Sequence, residues 1–209
     1  MSTCLIITGG DYNDLPKDIS YDRVIACDLG FEYAKKMNIT PDVVLGDFDS
    51  YDIEKVKAEG FLPIVYPSKK DDSDTVLAIK HAISKGFDNI VITCALGGRT
   101  DHLLANIQAL VYAKEQGANA TIVSDKETIT IISNEEKILN GKPGDTFSLF
   151  ALTDECKNVS IKGSEYDADD ITLNSSFPLG LSNKLQKEKA AISLSEGMLL
   201  VIVNKSGLS

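Results

Sequence analysis

Carboxylates gather at four places in the first half of the chain. They are Cys27-Asp28-Leu29-Gly30, Gly46-Asp47-Phe48-Asp49-Ser50, Asp71-Asp72-Ser73-Asp74 and Gly97-Gly98-Arg99-Thr100-Asp101-His102. The second is the sharpest, because two aspartates flank one residue directly after the apolar run Val43–Leu45. Crowded carboxylates repel and call for positive charge between them. A hard divalent cation carrying phosphates meets that need.

Each segment also has a plainer explanation. Asp favours turns, so one Asp after a strand is ordinary; two of them between Gly46 and Ser50 favour a metal site. Asp71 or Ser73 is suited to cap a helix, and Asp74 in a first helical turn complements the helix dipole. Gly97-Gly98-Arg99 opens the most regular helical pattern of the chain. Exposed amides at a helix start attract phosphate, and Arg99 can add a bidentate contact; a tight turn with a solvated Arg99 is the alternative. His102 and Asn106 share one polar stripe of that helix, suited to orienting a ligand or a loop, with a partly exposed helix face as the plainer alternative for His102. Gly9-Gly10 after the first apolar run either faces nucleotide or simply turns.

The elements that must position these residues alternate. Apolar runs at Cys4–Thr8, Val24–Cys27, Val43–Leu45, Ile64–Tyr66, Ile90–Cys94 and Thr121–Ser124 predict buried strands. Helical patterns at Phe31–Met37, Ile53–Glu59, Asp74–Lys85 and Asp101–Gln116 separate most of them, the last with a stripe of Leu103, Leu104, Ile107, Leu110 and Val111. Such alternation predicts an α/β domain with a mostly parallel sheet flanked by helices. In an open sheet of this kind ligands bind at the carboxyl ends of the strands, which is where all four acidic segments fall. After about Asp125 the pattern becomes short strands separated by Asn140-Gly141, Pro143-Gly144, Lys162-Gly163 and Glu196-Gly197 turns. This predicts a small all-β sandwich or barrel. The expected division is 1–130 for the catalytic α/β domain and 131–209 for the β domain.

Composition narrows the function classes. With 209 residues, 43% hydrophobic and 25% charged, the chain has the makeup of a soluble globular protein. A net charge of −10 without a Lys/Arg cluster argues against nucleic acid. No apolar run is long enough to span a bilayer, and the N-terminus lacks a signal-peptide pattern, so the expectation is a cytoplasmic protein. Cys4, Cys27, Cys94 and Cys156 are far apart and read as buried thiols rather than zinc ligands. Gly-X-X-X-X-Gly-Lys-Ser/Thr, Gly-X-Gly-X-X-Gly and Gly-X-Ser-X-Gly are all absent, which argues against a P-loop kinase, a dinucleotide dehydrogenase and a serine hydrolase.

Taken in order, the motifs resemble the thiamine pyrophosphokinase family. The matching residues are Asp28-Leu29-Gly30, Gly46-Asp47-Phe48-Asp49-Ser50, Lys70-Asp71-Asp72-Ser73-Asp74, and Gly97-Gly98-Arg99-Thr100-Asp101-His102 with Asn106. Gly180-Leu181-Ser182-Asn183 resembles the family's thiamine-side signature. The chain departs in having Leu29 before Gly30, Ser73 where Thr is common, and no Trp. The resemblance implies that the diphosphate of ATP is transferred to the hydroxyl of thiamine, releasing AMP. It implies Mg²⁺ on Asp47, Asp49 and Asp74, with Asp28 or another carboxylate of the cluster taking the hydroxyl proton. Lys70 and Arg99 would neutralise phosphate, with Asp71, Gly97, Gly98, Asp101, His102 and Asn106 on the nucleotide side. It also implies a homodimer in which Ser182 and Asn183 reach thiamine across the interface. Two other readings stand beside it: a different Mg²⁺-dependent phosphotransferase or phosphohydrolase with an Asp-X-Asp site, and a non-catalytic module that senses nucleotide or thiamine.

Overall fold

A computed structural model describes residues 2–69 and 71–205. Lys70 therefore lies outside the described residues. The chain divides between Asp125 and Lys126 into two compact units.

The first unit is built on strands too short and too apolar to stand alone. β1 (Thr3–Ile7), β2 (Arg23–Cys27), β3 (Val43–Gly46), β4 (Ile64–Val65), β5 (Asn89–Thr93) and β6 (Asn119–Val123) pair in parallel in the order β6-β5-β1-β2-β3-β4. Cys4–Ile7 and Val24–Cys27 are buried at every position, which in a pleated strand means that both faces are covered. Between the strands run α1 (Gly30–Lys36), α2 (Ile53–Ala58), α3 (Asp74–Ser84) and α4 (Thr100–Glu115). The Ser73 hydroxyl caps α3 by accepting from Val76 N at 3.3 Å, and Asp52 caps α2 by accepting from Glu54 N at 3.0 Å. Residue 30 must be glycine, because a Cβ there would stand 2.0 Å from the Ile7 carbonyl oxygen. That close approach seats the start of α1 directly on β1.

α4 buries the stripe expected from its leucines only in part, Leu103, Ile107 and Val111 being half-buried. Leu104 is 57% exposed, whereas Ala109, Leu110 and Ala113 are buried. The helix packs on α3 and β6 through its small residues, and alanine permits the closer approach.

The second unit consists of two antiparallel sheets. One orders β12 (Gly180–Lys184), β9 (Thr146–Ala151), β14 (Leu199–Asn204) and β7 (Glu127–Ile132); the other orders β11 (Ala168–Asn174), β10 (Glu155–Lys162), β13 (Lys189–Ser193) and β8 (Glu136–Asn140). Phe147, Leu149 and Val201 from the first meet Val159, Ile161 and Ile192 from the second in one core, the arrangement of a β-sandwich. The molecule thus has the α/β domain followed by the all-β domain that the sequence pattern predicts. β8 and β12 are additional. Gly180–Asn183 forms most of an edge strand, with a bulge between Gly180 and Asn183.

Candidate active site

The site begins with a residue held against its backbone preference. Asp28, directly after β2, takes a φ of +48° and is only 6% exposed. Its Oδ2 accepts from Ser50 N at 3.2 Å, while Oδ1 is buried without a hydrogen-bond partner. Burial pushes this carboxyl up to about 6, and the charges of Asp49 and Asp74 push the same way against the Ser50 amide. Non-glycine residues in the left-handed region also stand in the turn after β3, at Phe48 (φ +58°), and directly after β5, at Cys94 (φ +56°). Strain of this kind persists only where its surroundings enforce it.

Because β2 pairs with β3, the end of one strand delivers Asp28 beside the turn that follows the other. Asp47 Oδ1 accepts from Asp49 N at 3.3 Å, which closes that turn. One carboxylate oxygen from each of Asp28, Asp47 and Asp74 lies within 4.8 Å of the other two. Oxygens on opposite sides of a Mg²⁺ ion stand about 4.2 Å apart, given bond lengths near 2.1 Å. Three hard oxygen donors at this spacing fit such a cation, and the buried Asp28 also carries an oxygen without a hydrogen-bond partner. The converging set differs from the expected Asp47, Asp49 and Asp74. Asp28 belongs to it, and Asp49 stands just outside, its Oδ1 accepting from Ser50 Oγ at 2.7 Å.

All four aspartates line one cleft of about 480 Å³ in the first unit. Gly97, Arg99, His102 and Asn106 also line it. Gly98 and Asp101 do not stand on its wall, but Asp101 holds Arg99 from beside it, accepting from Nε at 3.1 Å and from Nη2 at 2.6 Å. Both side chains are exposed, so the Arg99 fork can exchange this partner for a phosphate at small cost. Asn106 serves as a strut: its Nδ2 donates to Ala95 O at 2.8 Å, and its Oδ1 accepts from Thr75 Oγ1 at 2.8 Å. It ties the loop after β5 to the first turn of α3.

Asp71 is exposed and off the cleft wall, whereas its neighbour Asp72 is on it, ion-paired with Lys80 at 2.6 Å. Thr8, Ser50, Ser68, Asp72 and Thr75 also line the cleft, none of them a site candidate on sequence grounds. Ser50, Asp72 and Thr75 lie within or next to the acidic motifs and were open to notice. Nothing local marks Thr8 or Ser68.

In the second unit, Asn183 is buried and its amide is used inside the domain. Nδ2 donates to Tyr166 O at 2.8 Å and Ser164 Oγ at 3.2 Å, and Oδ1 accepts from Tyr166 N at 3.1 Å and Lys184 N at 2.8 Å. In the single chain these bonds hold Asn183 at the bulge of β12. Ser182 beside it is exposed, with a φ of +62°, and donates its amide to Ser148 Oγ at 3.1 Å.

Comparison with known proteins agrees with this geometry. Residues 19–122 match the family model for the thiamin pyrophosphokinase catalytic domain, and residues 126–199 match that for the thiamin pyrophosphokinase vitamin B1 binding domain. A curated thiamine pyrophosphokinase from Bacillus subtilis (strain 168) is 27% identical over 210 residues, covering 97% of this chain and 98% of its own. The crystal structure of thiamine pyrophosphokinase from Bacillus subtilis superposes with a TM-score of 0.87 at 24% identity, covering 99% of this chain and 100% of the other. That of a thiamin pyrophosphokinase family protein from Enterococcus faecalis gives 0.85 at 26% identity, with the same coverage. The two matched segments together take in most of the chain, which therefore belongs to the thiamin pyrophosphokinase family of ATP-dependent diphosphotransferases.

Proposed function

We propose that this chain transfers the β,γ-diphosphate of ATP to the hydroxyl of thiamine in the cleft of the first unit. The observation that carries this reading is the convergence of Asp28, Asp47 and Asp74 beside the Gly97–Arg99 turn. Phosphoryl transfer asks mainly for positioning and charge neutralisation, and these residues supply both. Asp28, Asp47 and Asp74 would hold Mg²⁺, which when bound would offset the charge of the triphosphate. Gly97 and Arg99 bind phosphate oxygens at the start of α4, and Lys70, outside the described residues, is kept in this reading as a further phosphate partner. Asp71 and Asp101 act from outside the cleft wall, Asp101 by orienting Arg99. The thiamine oxygen attacks the β-phosphorus, the bond from that phosphorus to the bridging oxygen of AMP breaks, and AMP leaves. Asp49, on the cleft wall but outside the converging trio, takes the hydroxyl proton.

Thiamine lies against the β domain, a role supported by the match of residues 126–199 to a vitamin B1 binding domain. The reading includes a homodimer, with Ser182 serving the cleft of the other copy, and a cytoplasmic location. Among the described residues no helix is long and apolar enough to cross a membrane.

The test is product analysis. AMP should form from ATP only when both Mg²⁺ and thiamine are present. Formation of ADP, or AMP formation without thiamine, would overturn the assignment.

A further inference from the structure

In an open parallel sheet the loops diverge where the strand order reverses, here between β1 and β5. In this chain those two loops are clasped together. Gly10 N donates to Cys94 O at 2.7 Å, and Asp11 N donates to Leu96 O at 2.8 Å. Thr8 Oγ1 donates to Cys94 O at 2.7 Å. The approach is so close that a Cβ on Gly10 would stand 2.6 Å from Cys94 O, and one on Gly97 would stand 1.9 Å from Asp11 Oδ2. Asn13 completes the clasp. Its Oδ1 accepts from Cys94 N at 3.2 Å, its Nδ2 donates to Thr93 Oγ1 at 2.9 Å, and its main-chain oxygen accepts from Cys94 Sγ at 3.6 Å. Tyr33 grips the same loop from α1, donating from its hydroxyl to Gly10 O at 3.0 Å.

We infer that Asn13, which does not line the cleft, is a positioning residue for ATP: it holds Cys94 in the left-handed conformation that aims the Gly97–Arg99 turn. Cys94 is the first residue after β5, and its φ of +56° sets the direction of the loop. Left-handed backbone is costly for a residue with a Cβ and persists only when held. Asn13 holds the amide of Cys94, Thr8 and Gly10 hold its carbonyl, Asn106 holds the next carbonyl and Asp11 the one after. Three consecutive residues are thereby fixed before the chain reaches Gly97. Without Asn13, the grip on the amide that begins this series is lost.

The inference rests on the reading of Gly97–Arg99 as the phosphate turn, so the test measures MgATP binding by calorimetry separately from turnover. Asn13→Ala should raise the Kd for MgATP about tenfold, the effect of losing one positioning contact, and leave the KM for thiamine within about twofold. Adding Cys94→Gly to Asn13→Ala should bring Kd back to within about threefold of wild type, because glycine adopts positive φ without being held. A Kd unchanged in Asn13→Ala, or left as high in the double variant as in the single one, would overturn the inference. Should Asn13→Ala fail to fold, Tyr33→Phe decides: it removes one oxygen from the other grip and should also weaken MgATP, and a wild-type Kd would count against the clasp. Wild-type protein that binds MgATP but forms no AMP with thiamine would instead refute the proposed activity and leave the Asn13 comparison readable.

Discussion

Asp28 costs the empty protein stability that the bound cation would return. Its folded carboxyl titrates at about 6 against an ordinary 3.8, so ionising it opposes folding. The stability linked to its neutral form is fully present below pH 3.8 and is lost as the pH rises through about 6. The difference is worth at most roughly 3 kcal/mol. Asp28→Asn should therefore melt higher than wild type in EDTA at pH 7.5, show no such advantage near pH 4, and lose nearly all turnover; equal melting temperatures at pH 7.5 would contradict the burial argument. Asp47 and Asp49 should separate. Asp47→Asn is expected to abolish the rise in melting temperature that Mg²⁺ gives with ATP, whereas Asp49→Asn should keep that rise while kcat falls by about a hundredfold, the usual scale for losing a positioned base. If both lose the Mg²⁺ effect equally, Asp49 is a ligand after all. Asp47 and Asp74 were legible as candidate ligands because Asp-X-Asp spacing and a helix start are local signals. The membership of Asp28 was not, since it depends on the pairing of β2 with β3 and on burial, which spacing does not report.

Among the elements, the helices and the buried strands of the first unit were readable because apolar runs and helical periodicity are strong when both faces of a sheet are covered, whereas Ile64–Tyr66, expected as a buried strand, is the short exposed edge strand β4. The edge strand β12 was not readable, since Gly180-Leu181-Ser182-Asn183-Lys184 has one buried side chain and a bulge. α4 was readable in part: Leu110 of its apolar stripe is buried, but Ala109 and Ala113 are buried beside it while Leu104 is left to solvent. The junction of β1 with α1 offers a sharp test of how elements set the site. Gly30→Ala places a Cβ 2.0 Å from Ile7 O, so α1 must shift. Overpacking of this kind costs roughly 3 kcal/mol, and urea unfolding should show it as a lower midpoint at similar slope. Ser73→Ala, which removes only the cap of α3, should cost about 1 kcal/mol in the same assay. A Gly30→Ala cost no larger than that of Ser73→Ala would mean that the α1 contact is not rigid.

At the scale of the whole molecule, charge and assembly decide how the substrates meet. With a net charge of −10, the chain attracts the thiamine cation but repels free ATP, which therefore enters as its Mg²⁺ complex. The proposed homodimer goes further, because it divides each active site between the acidic cleft of one copy and the β domain of the other. A two-fold dimer has two such sites, and each mixed dimer of two differently damaged chains retains one with both halves intact. Asp47→Asn damages the cleft half. Ser182→Arg damages the other half by setting a cation against cationic thiamine, at an exposed position on an edge strand where the fold has room for it. Each variant alone should be nearly inactive. Co-expressed in equal amounts, they should recover about a quarter of wild-type activity, since half the dimers are mixed and each has one good site of two. No recovery in mixed dimers isolated through two different affinity tags would mean that each site is built from a single chain, and Ser182 would then lose its proposed role across the interface.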